Sequence, residues 1–169
     1  MISKLFYSGP SLADLHERYA ARSRIDEAAP ATCSVSAVIS APPARVWAVL
    51  SDVAGWPAWY PGMRVLDIGE VRPGARLRWQ TGGVTIRSVF AVVERERELT
   101  WTGRFLCYKA VDRHLLEPLP GGRTRVTIAE SLAGPLLPLL YSSARLRAGH
   151  ERWLAALRHM LEAAPASAR

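Results

Sequence analysis

Few residues in this chain are of the kinds that mark secreted, metal-bound or membrane-spanning proteins. Its 169 residues include two cysteines, Cys33 and Cys107, which lie in strand-like runs without the spacing of metal ligands. We expect both to be buried free thiols. No apolar stretch approaches the length of about 20 residues that a membrane-spanning helix needs, and residues 1–10 lack the apolar run of a signal peptide. These absences predict a cytoplasmic protein.

Lysine is also scarce, because only two of the 22 basic residues are lysines. The arginines are spread along the sequence with acidic residues between them, so the net charge of +7 does not come from a basic run. Such a run would form a phosphate-binding stripe, and without it we expect no nucleic-acid partner. The sequence also has no P-loop, G-x-S-x-G elbow, H-E-x-x-H motif or dinucleotide fingerprint. We expect no metal and no cofactor.

The most informative segment follows a strand-like run at 33–40. An Ala-Pro-Pro sequence at 41–43 stops that strand and sets the backbone for the start of a helix. Val46 and Leu50 then lie one helical turn apart on an apolar face, and Gly-Trp-Pro at 55–57 ends the helical stretch. The segment therefore predicts a strand, a turn and a short helix.

Aromatic residues crowd the loop that follows this helix. Trp56 comes directly before Pro57, and Trp59 and Tyr60 lie between Pro57 and Pro61. Aromatic side chains contribute large burial energies wherever they pack. The loop is therefore open to two interpretations, a lid over a cavity or a plug that closes the end of a sheet.

Alternation of apolar and polar residues predicts an antiparallel sheet. Pro135 and Pro138 mark the entry to one long helix, which runs to about residue 163. The sheet must curve around this helix, because no other element is long enough to cover the helix's apolar face. The predicted class is α+β with seven strands, at 33–40, 64–71, 75–81, 84–93, 99–105, 108–116 and 124–131.

The N-terminal residues predict a separate short helix. Ser11 and Asp14 form a variant of a capping box, and Leu12, Leu15 and Tyr19 then share one helical face. An isolated helix of this length is marginal in water. We therefore favour its docking on the domain over the alternatives, which are a contact between two subunits or a mobile segment.

Three ionisable side chains fall on the face of the predicted sheet that should be apolar. Asp112 and His114 lie on one strand and Glu130 lies on the next. We expect the turn at 118–122 to place Asp112 opposite Ile128, so that Asp112 and Glu130 are diagonal neighbours. An unpaired carboxylate is costly inside a protein, so these groups need a partner, water or a ligand.

His150 lies in the middle of an apolar stripe from Leu139 to Met160, on the face of the long helix that we expect to face the sheet. A single histidine on such a face is more often a hydrogen-bonded core residue than a catalyst. Two inward histidines beside two inward carboxylates favour a polar cavity, and the alternative is a solid core in which the polar groups pair. The candidate catalytic residues are Tyr108, Asp112, His114, Glu130 and His150, and the candidate ligand-binding residues are Trp59, Tyr60, Trp79, Phe90, Trp101, Leu146 and Trp153.

Three blocks of the sequence follow the pattern of one known superfamily. The first is the A-P-x-x-V-W-x-x-L-x-D-x-x-x-W-x-x-W-x-P pattern that begins at Ala41. The second is the hairpin at 116–134, in which Arg123 stands before the expected threonine. The third is the end of the long helix at 154–162. Together these blocks resemble the SRPBCC superfamily of START-like helix-grip proteins, and among these the polyketide cyclase/dehydrase-like branch. The match is specific for the fold and poor for the ligand, because the superfamily keeps its frame and varies its cavity.

The resemblance implies a helix-grip domain at 32–163, an N-terminal extension at 1–31 and a tail at 164–169. It also implies cyclisation and dehydration of a hydrophobic, oxygenated polyketide. A histidine beside a carboxylate moves protons near neutral pH, which would support this chemistry. The alternative is a non-catalytic carrier or sensor for a lipid, an isoprenoid or a quinone. We expect a hydrophobic small-molecule partner, with a homodimer left open.

Overall fold

The structure, a computed structural model, describes residues 2–163; the predicted tail at 164–169 lies outside them. All seven predicted strands are present and form one antiparallel sheet, which confirms the α+β helix-grip class. The strands are β1 (Ala31–Ile39), β2 (Met63–Ile68), β3 (Arg76–Thr81), β4 (Val84–Glu94), β5 (Glu98–Phe105), β6 (Tyr108–Leu119) and β7 (Arg123–Ala133). Their spatial order is β1-β7-β6-β5-β4-β3-β2, so β1 and β2 form the two edges of an open, curved sheet.

The long C-terminal helix begins later than the sequence predicted. The expectation of one helix through 139–160 is wrong, because the chain is extended at Tyr141, with φ of −149°. The side chain of Ser142 accepts a hydrogen bond from the backbone N–H of Arg145 and caps the helix that follows. The helices are α1 (Ile2–Leu5), α2 (Leu12–Asp14), α3 (Pro43–Ser51), α4 (Trp56–Trp59), α5 (Leu137–Leu140) and α6 (Ser143–Glu162).

Helix α6 packs on the concave face of the sheet and completes the main core. Trp153, Leu154, Leu157 and Leu161 of this helix are buried against apolar residues of the sheet and of α3. The predicted stripe was wrong at both ends. Leu139 belongs to α5 and is 71% exposed, and Met160 lies beside the stripe with 46% exposure.

The β6–β7 hairpin fixes the positions of the inward carboxylates. The two strands stay paired as far as Leu119 and Arg123, so the loop between them is shorter than the predicted turn. Asp112 lies directly opposite Glu130, and the expected diagonal arrangement is wrong. The predicted pairing is displaced from the observed one by two residues. Because side chains alternate between the faces of a strand with a period of two, both carboxylates remain on the predicted inner face.

The N-terminal extension docks on the outer, convex face of the sheet. The predicted capping interaction is present, since the side chain of Ser11 accepts a hydrogen bond from Asp14 N at 3.0 Å. The helical stretch continues from α2 as a π turn and a 3₁₀ turn, which end at Arg22. Leu15 packs against Val111 of β6. The convex face that the pattern marked as polar is therefore covered at this place.

Polar groups under the extension are paired. His16 Nδ1 lies 3.0 Å from the hydroxyl of Thr102. The carboxylate of Glu98 accepts two hydrogen bonds from Arg113, both of 3.0 Å, although the Glu98 side chain is only 3% exposed. Arg113 therefore completes a buried ion pair, and 25% of its own side chain stays exposed.

The two cysteines have different environments. Cys33 is buried on β1, and burial raises the pKa of its thiol to about 12. Cys107 is exposed in the turn between β5 and β6, so the prediction of two buried thiols is wrong for this residue. Within residues 2–163, no helix combines the length and the apolar character needed to cross a membrane.

Candidate functional site

A cavity lies between the concave face of the sheet and the first half of α6. Its inner chamber has a volume of about 130 Å³ and its outer chamber a volume of about 540 Å³. The two chambers share eight lining residues and therefore form one continuous space. The shared residues are Trp79, Thr81, Trp101, Asp112, Glu130, Tyr141, Leu146 and His150.

Most of the aromatic residues chosen from the sequence surround this space. Trp79 and Trp101 line both chambers, whereas Tyr60 and Trp153 line the inner one. The other two aromatic candidates do not line either chamber. Phe90 is fully buried behind Trp101, with ring centroids 6.2 Å apart, and Trp59 packs on Trp153 at 4.9 Å.

The wrong assignment of Phe90 and Trp59 has a simple cause. Strand alternation shows that Phe90 faces inward, but it does not show whether a neighbouring ring covers it. Trp59 belongs to the aromatic loop of α4, which packs against α6. Trp56 and Tyr60 of this loop line the inner chamber, whereas Trp59 packs behind Trp153. The loop therefore forms part of the cavity wall and also closes this end of the core.

Four of the five predicted catalytic residues meet at the inner chamber as two histidine–carboxylate pairs. Nε2 of His150 lies 2.5 Å from Oε2 of Glu130, and this pair joins α6 to β7. Nε2 of His114 lies 3.0 Å from Oδ1 of Asp112, both on β6. Since Asp112 and Glu130 are direct cross-strand partners, the two pairs lie side by side.

The pair on β6 leaves polar atoms without partners. His114 Nε2 is within ion-pair distance of Asp112 Oδ1 but is not aligned with it for a hydrogen bond. Among the described residues, the buried side-chain polar atoms that lack a hydrogen-bond partner are Asp112 Oδ1 and both ring nitrogens of His114. Buried polar groups are almost always hydrogen-bonded, so these atoms mark where a ligand or water is expected.

The pairs shift the protonation of their members. Burial alone would lower the pKa of His150, but the hydrogen bond and the charge of Glu130 raise it to about 9. Burial raises the pKa of Glu130 above its ordinary value, and the charge of Asp112 adds to this effect. Burial opposes ionisation of Asp112 as well, but the electrostatic effect of His114 and His150 leaves its pKa below the ordinary value. Asp112 is therefore an anion at neutral pH, and His150 is protonated.

One trio of these residues has the composition of a metal site. Asp112, Glu130 and His150 each offer one ligand atom, and the three atoms lie within 4.8 Å of one another. A metal ion would need the neutral imidazole of His150, whose proton is retained up to about pH 9. The proton shared with Glu130 therefore competes with any metal at this position.

Comparison with known proteins agrees with this architecture. A family model described as "Polyketide cyclase / dehydrase and lipid transport" matches residues 30–162. The chain belongs to this family. The matched residues contain the whole sheet, α6 and all lining residues of both chambers. No curated protein sequence matches the chain.

Solved structures show the same fold at low sequence identity. A hypothetical protein from Helicobacter pylori has a TM-score of 0.67 and 18% identity, over 79% of this chain and 89% of that one. A START superfamily protein from Mycobacterium smegmatis has a TM-score of 0.65 and 14% identity, over 78% of this chain and 97% of that one. DynU16, a putative protein in the dynemicin biosynthetic locus, has a TM-score of 0.63 and 21% identity, over 79% of this chain and 48% of that one.

Tyr108 lies apart from the other four predicted catalytic residues, which line the inner chamber. It lines only the outer chamber, where its ring packs on Phe105 and on Gly134. Tyr141 instead lines both chambers. Burial, and then the charge of Glu130, raise the pKa of its hydroxyl above the ordinary value. Tyr141 therefore stays protonated near the two pairs.

The sequence pattern missed Tyr141 because it lay inside the predicted long helix. The signal that identifies its position is the pair of serines at 142–143, which are good N-cap residues. The inner chamber also has lining residues that were not among the candidates. They are Trp56, which belongs to the aromatic loop, and Met63, Thr81 and Gly149.

The rim of the outer chamber is both apolar and cationic. Leu140 of α5 lines this chamber and is 62% exposed. Arg145 and Arg152 of α6 line it as well, and the guanidinium of Arg145 lies 4.9 Å from the ring centre of Tyr141. A ligand in this cavity would therefore meet arginines near the surface and the histidine–carboxylate pairs at depth.

Proposed function

We propose that the protein binds a hydrophobic, oxygenated small molecule in this cavity and carries out acid–base chemistry on it, as a polyketide-type cyclase or dehydratase. The observation that supports this function is the presence of two buried histidine–carboxylate pairs side by side in an aromatic-lined chamber. Small-molecule sites are mostly apolar with a few convergent polar groups, and acid–base sites combine groups of different protonation.

The two pairs are suited to opposite roles in cyclisation. His114, beside the anionic Asp112, accepts a proton from a carbon next to a carbonyl group. The resulting enolate carbon bonds to the carbon of a second carbonyl group. The oxygen of that second carbonyl group takes a proton from the protonated His150. Dehydration then transfers a further carbon-bound proton to His150, which has lost its own proton. The hydroxyl takes the proton that His114 has gained, and it leaves as water. Tyr141 donates a hydrogen bond to a substrate oxygen in place of the more distant Tyr108.

A non-catalytic carrier or sensor for a lipid, an isoprenoid or a quinone is the second candidate. The observation that favours it is the apolar rim, where Leu140 lines the outer chamber with 62% exposure and its chain neighbour Leu139 is 71% exposed. A pKa of about 9 for His150 is also higher than acid–base catalysis near neutral pH prefers. In a carrier, the two pairs would only bind the polar end of the ligand.

Native mass spectrometry of the purified protein tests whether the cavity retains a small molecule, and it also shows whether the protein is a monomer or a homodimer. Acid–base catalysis is tested with 4-phenylbutan-2-one in D₂O, by NMR of the exchange of protons next to its carbonyl group. We expect exchange above the buffer rate, and a decrease of about 10²–10⁴-fold in His114→Ala and in His150→Ala.

His159→Ala is the matched control, because His159 is an exposed residue of the same helix as His150. It should exchange the ketone protons at the wild-type rate. Protein-catalysed exchange that persists in both inner-chamber variants would remove the histidines from the mechanism. Ligand retention without any catalysed exchange in the wild-type protein would favour the carrier.

A further inference from the structure

The inner chamber has the dimensions of a single ring. Its volume is about 130 Å³, and a buried apolar cavity of about 150 Å³ is known to bind one benzene molecule. The outer chamber is about four times larger on the same measure. A ligand that fills both must therefore be narrow at its inner end.

The walls of the inner chamber are suited to a flat, unsaturated group. The ring centroids of Trp101 and Trp153 lie 4.8 and 4.9 Å from that of His114, and Trp56 lies 5.7 and 6.0 Å from the same two tryptophans. Aromatic groups attract one another at centroid distances of about 4.5–7 Å. These four side chains pack on one another and form a continuous aromatic surface. A planar ring placed against this surface therefore gains contacts that a flexible alkyl chain does not.

The polar end of the chamber selects the chemistry of that ring. Asp112 Oδ1 needs a hydrogen-bond donor, while the imidazole of His114 supplies a donor or an acceptor according to its protonation. A hydroxyl group satisfies both, because it donates one hydrogen bond and accepts others. A ketone or an ether offers no donor to Asp112, and a carboxylate would be repelled by its charge.

We propose that the inner chamber is a subsite for one hydroxylated six-membered ring, such as a phenol or a cyclic enol, whose hydroxyl donates to Asp112 and contacts His114. The remaining, apolar part of the ligand lies in the outer chamber. This inference rests on the proposed function, since it assumes that the cavity binds a small molecule. It specifies the end of the ligand that enters first and the group that this end carries.

Binding of three probes of similar shape tests the subsite: 4-pentylphenol, 4-pentylanisole and pentylbenzene. Quenching of tryptophan fluorescence is a suitable readout, because Trp56, Trp101 and Trp153 surround the chamber. We expect the phenol to bind about 10-fold or more tightly than either other probe, as a hydrogen bond to a charged group contributes strongly to affinity. A two-ring probe, 6-pentyl-2-naphthol, should bind at least about 10-fold more weakly than the phenol.

Variants locate the preference within the chamber. Asp112→Asn should reduce the ratio between phenol and anisole affinities, whereas Glu117→Gln should not, because Glu117 is a half-exposed residue of the same strand.

The probe affinities have three outcomes that would contradict a proposal. Equal affinity for the three one-ring probes would overturn the proposed subsite for a hydroxyl group and leave the proposed binding function intact. Tight binding of the naphthol would overturn the one-ring limit. Failure of every probe to bind would overturn the proposed function itself. The comparison of probes in the wild-type protein decides the question even where Asp112→Asn does not fold.

Discussion

The pKa of His150 makes a sharp prediction about stability and pH. The ordinary value of 6.5 is raised to about 9 in the folded protein, mainly by the hydrogen bond to Glu130 against the effect of burial. At 1.36 kcal/mol for each pKa unit, the difference corresponds to at most about 3 kcal/mol of folding free energy. The folded state has the higher pKa, so this contribution is complete below about pH 6.5 and is lost as the pH rises to about 9.

The assay is urea denaturation of the wild-type protein and of His150→Gln, followed by tryptophan fluorescence at about pH 6, 7, 8 and 9. The difference in unfolding free energy between the two proteins removes the titration of groups that do not interact with His150. We expect this difference to shrink by about 2–3 kcal/mol across the range. The carboxyl groups of Glu130 and Asp112 and the hydroxyl of Tyr141 act electrostatically within this cluster, and all three remain in the variant. A difference that stays constant from about pH 6 to 9 would refute the ion pair as described.

Two further changes test a packing contact beside the outer chamber and a buried ion pair on the convex face. Gly134→Ala would place its Cβ 2.3 Å from the Tyr108 ring, so we expect a loss of about 1–3 kcal/mol in unfolding free energy; Gly149→Ala, whose Cβ meets nothing within 4 Å, is the control. Arg113→Ala leaves the carboxylate of Glu98 buried without its cation, and urea denaturation should show a loss of about 3 kcal/mol. A loss below about 0.5 kcal/mol in either variant, which is typical of surface substitutions, would contradict the corresponding contact.

The inner face of the sheet could be predicted from the sequence, but the neighbours on it could not. Alternation assigns Asp112 and Glu130 to the concave side because the side-chain period of a strand is two residues. The pairing between strands depends on where the hairpin loop is centred. Moving that centre by one residue shifts each partner by two, so the carboxylates became direct neighbours while their faces stayed as predicted.

Features that depend on tertiary packing were not available from patterns. Apolar periodicity continues through Tyr141, and only the cap at Ser142 shows that the helix starts again there. Alternation likewise marks Thr100 and Thr102 as an outward face, yet both are buried. Residues from another part of the chain cover them, and a local pattern contains no information about such a contact.

The extension on the convex face has a consequence for the order of folding. Its contacts join residues far apart in sequence, since His16 and Thr102 are separated by 86 residues, and Asp26 and Ser131 by 105. The ribosome makes the extension before it makes the strands on which the extension docks. Contacts of such long separation form after local hairpins, because loop closure costs more entropy. The extension must therefore wait, undocked, until the sheet that it covers has assembled.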